Sequence, residues 1–202
     1  CNVDLKLTTT SRKNTSELTF KNLKYFNYEF NESDFDKDLI NPLQESDHIL
    51  ISVPPINGKD MLIERLVKNN LNLQNLKWLT YLSSTSVYGS QSKLVREDCD
   101  INDLQPQSPY AETKLKEEKL VMSESKNGIL KSITLRFGTI FGTSPGMRFH
   151  TAVNKFCWQA SQGIPITVWK TALNQKRPYL DLTDACRAIT HIIENDIFDG
   201  EI

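Results

Sequence analysis

Two short apolar runs constrain this chain more than any other feature: His48-Ile49-Leu50-Ile51-Ser52-Val53 and Lys77-Trp78-Leu79-Thr80-Tyr81-Leu82-Ser83. Runs of this length, bounded by turn residues, read as strands; the first is predicted to be buried on both faces. It ends at Pro54-Pro55, which cannot continue a hydrogen-bonded ladder. Between the two runs, Lys59 to about Leu71 places Met61, Leu62, Leu66, Ile63 and Val67 at helical spacing, which predicts an amphipathic helix. A third run, Ile129 to Phe137, follows a second helical stretch that Pro109 opens and Asn127-Gly128 closes. Strand and helix alternate, so the chain is expected to form a parallel sheet covered by helices on both faces.

The flanks extend this rhythm. Val3 to Thr10 alternates apolar and polar residues and reads as a strand ending at Ser11-Arg12-Lys13; Leu23 to Phe30 reads as a second strand. Phe35 to Leu43 is expected to be a short helical or irregular crossover stopped near Pro42. After Gly142 the pattern changes. Thr143-Ser144-Pro145-Gly146 is a turn cluster. Arg148 to Gln162 predicts a helix with Phe149, Val153, Phe156, Cys157 and Ala160 inward, and Ile164 to Trp169 a short strand. Tyr179-Leu180-Asp181-Leu182 follows, and Thr183 is expected to cap a last helix reaching Asn195.

Composition excludes more than it selects. The 202 residues carry a net charge of −1, which gives no bulk attraction for nucleic acid or an anionic membrane. No apolar run approaches the ~18 residues of a membrane span. The four cysteines, Cys1, Cys99, Cys157 and Cys186, form no metal-binding pattern and read as reduced thiols of a cytoplasmic protein. The mixed charges of Lys114-Leu115-Lys116-Glu117-Glu118-Lys119 read as a solvated helix face.

The chemistry concentrates in Ser83-Ser84-Thr85-Ser86-Val87-Tyr88-Gly89 and Tyr110-Ala111-Glu112-Thr113-Lys114. On a helix, residues four apart share one face, ~5–6 Å apart at Cβ. A phenol with an ammonium one turn away, facing a hydroxyl at a strand tip, can move a proton to and from an alcohol or carbonyl. A free tyrosine, with pKa ~10, is a poor base at neutral pH. A neighbouring Lys114 cation is expected to lower the Tyr110 pKa. Ser84 would orient the reacting oxygen and stabilise its developing charge.

These two segments closely resemble those of the extended short-chain dehydrogenases/reductases, the family of NAD(P)-dependent epimerases and dehydratases. Leu135-Arg136-Phe137-Gly138-Thr139-Ile140-Phe141-Gly142 and Arg177-Pro178-Tyr179-Leu180-Asp181-Leu182-Thr183-Asp184 resemble two later segments of that family. The resemblance implies a Rossmann-like doubly wound parallel sheet. It assigns Tyr110 as acid/base, Lys114 as the residue that lowers its pKa and holds the nicotinamide ribose, and Ser84 as the oxygen-holding residue. Val53, Pro54, Phe137, Gly138 and Ile140 fall along the cofactor, with Arg12 near its ribose. Thr85, Arg148 and Arg177 fall toward a nucleotide-sugar substrate, Arg177 at a diphosphate-binding position. His150, Asn154 and Lys155 are weaker substrate candidates. The expected division is residues 1–142 as a partial NAD(P)-binding domain, 143–176 as a substrate lobe and 177–202 as a returning helix. A homodimer is expected from the resemblance alone.

Two departures sharpen the expectation. The family's glycine-rich phosphate loop has no counterpart, since Gly58 is the first glycine. The chain is therefore expected to be an internal fragment that lacks the first strand and is inactive by itself, leaving a gap between the strands at Lys6 and Ile49. Thr85 and Ser86 stand where sugar dehydratases of the family carry acids, which disfavours dehydration and leaves epimerisation or ketone reduction. The first strand ends in Thr10-Ser11-Arg12-Lys13 with no acid for a ribose 2′-hydroxyl, which leans the cofactor from NAD toward NADP. The alternatives are an NAD(P)H-dependent carbonyl reductase and a non-catalytic dinucleotide sensor or scaffold. No metal is expected.

Overall fold

A computed structural model of the chain describes residues 6–11, 24–29, 37–55, 58–59, 62–63, 66, 71–90, 94–198 and 200. Strands β1 (Lys6–Ser11) and β2 (Lys24–Glu29) pair in parallel, with Lys6 beside Lys24 and Ser11 beside Glu29. A three-stranded parallel sheet contains β3 (His48–Ile51), β4 (Trp78–Ser84) and β5 (Ser132–Phe137) in the order β3-β4-β5. Among the described residues the β1–β2 pair is not hydrogen-bonded to β3 and forms a sheet of its own. Helices connect the strands, as parallel pairing requires: α1 (Lys37–Glu45) precedes β3, and α2 (Pro109–Lys126) joins β4 to β5. The fold is α/β and Rossmann-like.

One apolar core lies against β3 and β4. Leu39 and Leu43 of α1, Ile49 and Ile51 of β3, Leu79 and Tyr81 of β4, Val121 of α2, and the helical residues Leu62, Ile63 and Leu66 are all buried in it. Here two expectations are corrected. Helix α1 runs through Pro42 to Glu45, because Leu39 and Leu43, one turn apart, seat it on the core. The Pro42 carbonyl is used by Ser46 Oγ at 2.6 Å. Strand β3 is buried on one face, not two: Ile49 and Ile51 point into the core while Leu50 is 45% exposed. Strand β5 also starts later than its apolar run, at Ser132, leaving Ile129 exposed beyond the turn at Gly128.

A second cluster forms past the tip of β4. There Val87, Leu104 and Leu115 pack together with Tyr88, Cys99 and Ile101 around them. Beyond β5, strand β6 (Thr139–Phe141) pairs in parallel with β7 (Tyr179–Asp181). Gly138 sits where the chain passes closest to the later segment. A Cβ there would come within 2.8 Å of the Pro178 carbonyl oxygen, which accepts from Thr139 N–H at 2.9 Å.

Helix α3 (Ala152–Ser161) buries Asn154 and Gln159 rather than the expected apolar stripe. Val153 and Phe156 are half-buried, whereas Phe149, Cys157 and Ala160 are exposed; Phe149 instead lies 5.7 Å from Trp158, ring to ring. The polar side chains win because each is tied to backbone; Gln159 Nε2, for example, donates to the Pro165 carbonyl at 3.3 Å. Residues 164–169 form no strand, and Ile164, Ile166, Val168 and Trp169 are exposed. Helix α4 (Leu182–Glu194) is capped by Asp181 rather than Thr183: the Asp181 carboxylate accepts from Thr183 N–H at 2.7 Å. Among the described residues, no helix is long and apolar enough to cross a membrane. None of them forms a group of three metal-ligating side chains.

Candidate active site

The site is built on the carboxyl end of β4 and the first turns of α2. Parallel register sets Ser83 beside Arg136 and Ser84 beside Phe137, so the tips of β4 and β5 end together. Because side chains alternate across a strand, Ser83 faces α2 with Tyr81, and Ser84 lies on the opposite face. Ser83 is 7% exposed and its hydroxyl has no hydrogen-bond partner among the described residues. Ser84 caps the short 3-10 turn Thr85–Tyr88, its Oγ accepting from Ser86 N–H at 3.2 Å. That bond uses a lone pair and leaves the Ser84 hydroxyl proton to donate to a substrate oxygen.

Pro109 occupies the first turn of α2, where its missing N–H costs nothing. Ser108 caps the helix by accepting from Ala111 N–H at 3.2 Å. The phenol of Tyr110 therefore sits at a helix start, 44% exposed, with Lys114 one turn further on. Lys114 is 2% exposed; its Nζ donates to the Leu82 carbonyl at 2.9 Å and lies 4.5 Å from the centroid of the Tyr81 ring. The contact seats α2 against β4 two residues before Ser84. Ser84, Tyr110 and Lys114 thus share one end of the sheet.

Two expectations about this helix are corrected. The mixed-charge stretch is not a solvated face: Lys114, Glu117 and Glu118 are buried, and only Lys116 and Lys119 are exposed. The Glu118 carboxylate lies under the Arg136 guanidinium, with Nη2 to Oε2 at 2.7 Å and Nε to the two carboxylate oxygens at 3.1 and 3.2 Å. Burial penalises the Arg136 cation, but hydrogen bonds and charge from Glu118 and Tyr88 outweigh it, and its pKa is raised. The Tyr110 phenol is not lowered in this structure; burial pushes it above the ordinary tyrosine value. The Lys114 cation is turned to Leu82 and Tyr81, where it holds the helix.

The remaining candidates fall in different places. Val53 is half-buried and Pro54 exposed just beyond the carboxyl end of β3, on the same edge as Ser84 and Phe137. Phe137 and Gly138 are half-buried and Ile140 is 36% exposed. Thr85 opens the 3-10 turn, half-buried. Arg148, His150 and Arg177 are exposed; Arg177 Nη2 reaches Gln175 at 3.4 Å, while Asp181 and Asp184 serve Thr183 and Arg187. Asn154 is buried, and its amide is turned to backbone: it donates to the Arg148 carbonyl and accepts from Gly142 N–H, both at 3.1 Å. Arg12 lies outside the described residues. Sequence reasoning passed over Arg136 and Glu118. The signal available was a charged residue inside the apolar run Leu135-Arg136-Phe137.

Residues 56–202 match the model of the NAD dependent epimerase/dehydratase family. The YtcB protein of Bacillus subtilis (strain 168), described as an uncharacterized UDP-glucose epimerase, is 29% identical over 129 residues, covering 63% of this chain and 38% of YtcB. The UDP-glucose 4-epimerase of Lactobacillus helveticus is 36% identical over 75 residues, 37% of this chain and 22% of that enzyme. The chain therefore spans well under half the length of these relatives. A UDP-glucuronic acid 4-epimerase variant from Bacillus cereus, solved with UDP-4-deoxy-4-fluoro-glucuronic acid and NAD, superposes with a TM-score of 0.70 at 24% identity. That match covers 86% of this chain and 57% of the other. On the family match, over most of its length, this chain belongs to the NAD dependent epimerase/dehydratase family.

Proposed function

We propose that the protein to which these residues belong is an NAD(P)-dependent epimerase acting on a nucleotide-sugar. The observation that carries this reading is Lys114, lodged against β4 two residues before Ser84 and one turn from Tyr110. A binding module has no need of a buried ammonium one turn from a phenol and two residues from a strand-tip hydroxyl. Thr85 and Ser86 stand where acids would promote loss of water, so the reading favours epimerisation over dehydration.

The residues fit the nicotinamide half of a dinucleotide. Tyr110 and Lys114 would supply donors for its ribose, with Val53, Pro54 and Phe137 at the carboxyl ends of β3 and β5, and Gly138 and Ile140 just beyond β5. Within these 202 residues Gly58 is the first glycine, so they offer no glycine-rich loop to the pyrophosphate. When bound, the nicotinamide supplies hydride exchange. The chain's own part is proton chemistry: Ser84 holds the sugar oxygen by a hydrogen bond, and Tyr110 takes its proton and later returns it. With Thr10-Ser11 ending β1 and Arg12-Lys13 following, the reading prefers NADP over NAD. Arg148 and Arg177 supply cations for the nucleotide diphosphate. Residues 1–142 form the dinucleotide-binding portion, 143–176 the substrate lobe and 177–202 the returning helix, and the active form is a homodimer.

The test is product analysis of the purified protein with UDP-glucose and either dinucleotide. Interconversion to the C4 epimer without net dinucleotide consumption is expected. Net oxidation of NAD(P)H with a ketone would make the protein a carbonyl reductase. The variant Tyr110→Phe is expected to lose turnover while retaining dinucleotide binding; undiminished turnover would refute the assignment.

A further inference from the structure

The helix that carries Tyr110 meets the sheet through an unusual surface. On the face of β5 turned toward α2 lie Ser132, Thr134 and Arg136, beside Ser83 and Tyr81 of β4. Ser132 and Thr134 are each 1% exposed, and the Thr134 hydroxyl has no hydrogen-bond partner among the described residues. Short hydroxyl side chains interlock less with a helix than branched apolar ones, so they do little to fix its axial position. A directional contact does, in addition to that of Lys114 with Leu82. The Arg136 guanidinium grips Glu118 through three hydrogen bonds of 2.7, 3.1 and 3.2 Å, with the two side chains 2% and 0% exposed. The same guanidinium lies 4.8 Å from the centroid of the Tyr88 ring.

This places Arg136 in contact with each part of the site's frame. Its strand neighbour is Ser83, next to Ser84. Glu118 lies on α2 one turn after Lys114, and Tyr88 closes the turn that Ser84 caps. A planar fork on a carboxylate fixes distance and angle together, which a point charge does not. Glu118 is also in helical reach of Lys114. With its carboxylate given to Arg136, the Lys114 ammonium goes to Leu82 on β4. We propose that Arg136 and Glu118 are positioning residues, which fix α2 along the sheet and so set Tyr110 and Lys114 against Ser84. This rests on the proposed reaction for its kinetic consequence, but not for its structural one.

The experiment pairs stability with geometry. Removing one partner, as in Arg136→Met or Glu118→Leu, leaves a buried unpaired charge and is expected to lower the melting temperature. Replacing both restores an uncharged interface, so Arg136→Met/Glu118→Leu is expected to melt near wild type. In the whole protein the double variant should nevertheless lose kcat about 100-fold, the cost of a misplacement near 1 Å, with dinucleotide affinity held. Arg136→Lys keeps the charge without the fork and should lose about tenfold, a coupling ordinary for contacting residues. A second readout needs no turnover: the Tyr110 phenol, titrated as wild type minus Tyr110→Phe, should fall toward the ordinary tyrosine value in the double variant as α2 loosens. Wild-type turnover in the double variant or in Arg136→Lys, or an unmoved phenol midpoint, would overturn the proposal. If wild type converts no nucleotide-sugar, the proposed reaction fails, and the phenol titration alone decides the role of the pair.

Discussion

Gly89 offers the sharpest test of how the site is framed. It follows the 3-10 turn directly, with φ 68° and ψ −157°, a region essentially reserved for glycine. Its N–H donates to the Ser86 carbonyl at 3.1 Å, and it bridges in parallel to Gln105. A Cβ at this position would collide with the Gln105 carbonyl oxygen and lie 2.9 Å from its carbon, both backbone atoms that cannot rotate away. In Gly89→Ala the backbone strain costs about 1–3 kcal/mol. Displacing Gln105 adds about 1–3 kcal/mol of overpacking. Leu104 moves with Gln105, and it packs on Val87 and Leu115. The damage therefore reaches both the Ser84 turn and α2.

Together these give a loss of about 2–6 kcal/mol, a fall in melting temperature of roughly 4–24 °C for a chain of this size. Thermal unfolding followed by circular dichroism measures it. Gly146→Ala is the control: its φ is not in the left-handed region and nothing lies within 4 Å of an added Cβ. That variant should melt within about 2 °C of wild type or slightly higher, since alanine reduces the entropy of the unfolded chain. If Gly89→Ala also melts within about 2 °C of wild type, the close passage of Gln105 over the Ser84 turn is wrong, and so is the framing drawn from it.

Three further outcomes follow from the same geometry. The Tyr110 phenol, raised by burial, should titrate above ~10 in the chain without dinucleotide. Its contribution to stability is then present below the unfolded value and lost as pH rises through the folded one, so wild type should lose stability relative to Tyr110→Phe only above about pH 10; an unchanged difference across that range would contradict it. Asn154→Ala strands Gly142 N–H and the Arg148 carbonyl, and should cost about 1–3 kcal/mol by denaturant unfolding. Asp181→Ala removes the cap of α4 and should cost about 1 kcal/mol in the same assay, which Asp181→Asn should largely recover.

Which parts of this were legible in the sequence depends on how local the determining forces are. The strand at Trp78–Ser84, the Pro109 helix start and the Asn127-Gly128 stop were readable, because a handful of adjacent residues sets each of them. The places of Ser84 at a strand end and of Tyr110 and Lys114 at a helix start were readable for the same reason. What was misread depended on partners far along the chain. Pro42 inside α1 is tolerated because Leu39 and Leu43 bury against Ile49, Ile51 and Leu62, contacts that no local rule contains. Helix α3 shows an apolar stripe in sequence, yet hydrogen bonds from Asn154 and Gln159 to backbone decide which side faces in.

The misreading of α2 has a chemical cause rather than a statistical one. A helix that only packs can present an apolar stripe to its sheet, and its periodicity then shows in sequence. This helix has Lys114 and Glu118 on the side turned to the strands, so its inward face carries charge. Its sequence therefore looks like a solvated surface helix. Only the three-dimensional partners reveal otherwise: Leu82 and Tyr81 under Lys114, and Arg136, eighteen residues beyond Glu118, closing on its carboxylate. Burying such charges costs several kcal/mol apiece before pairing, a cost that packing alone gives no reason to carry. A charged face turned inward beside a strand-tip serine is thus the place where local pattern and fold disagree, and such disagreements are expected at functional sites. The same solvation cost that hides the helix from pattern reading ties its position to Arg136 and Leu82, because any slip along the sheet would strand a buried charge.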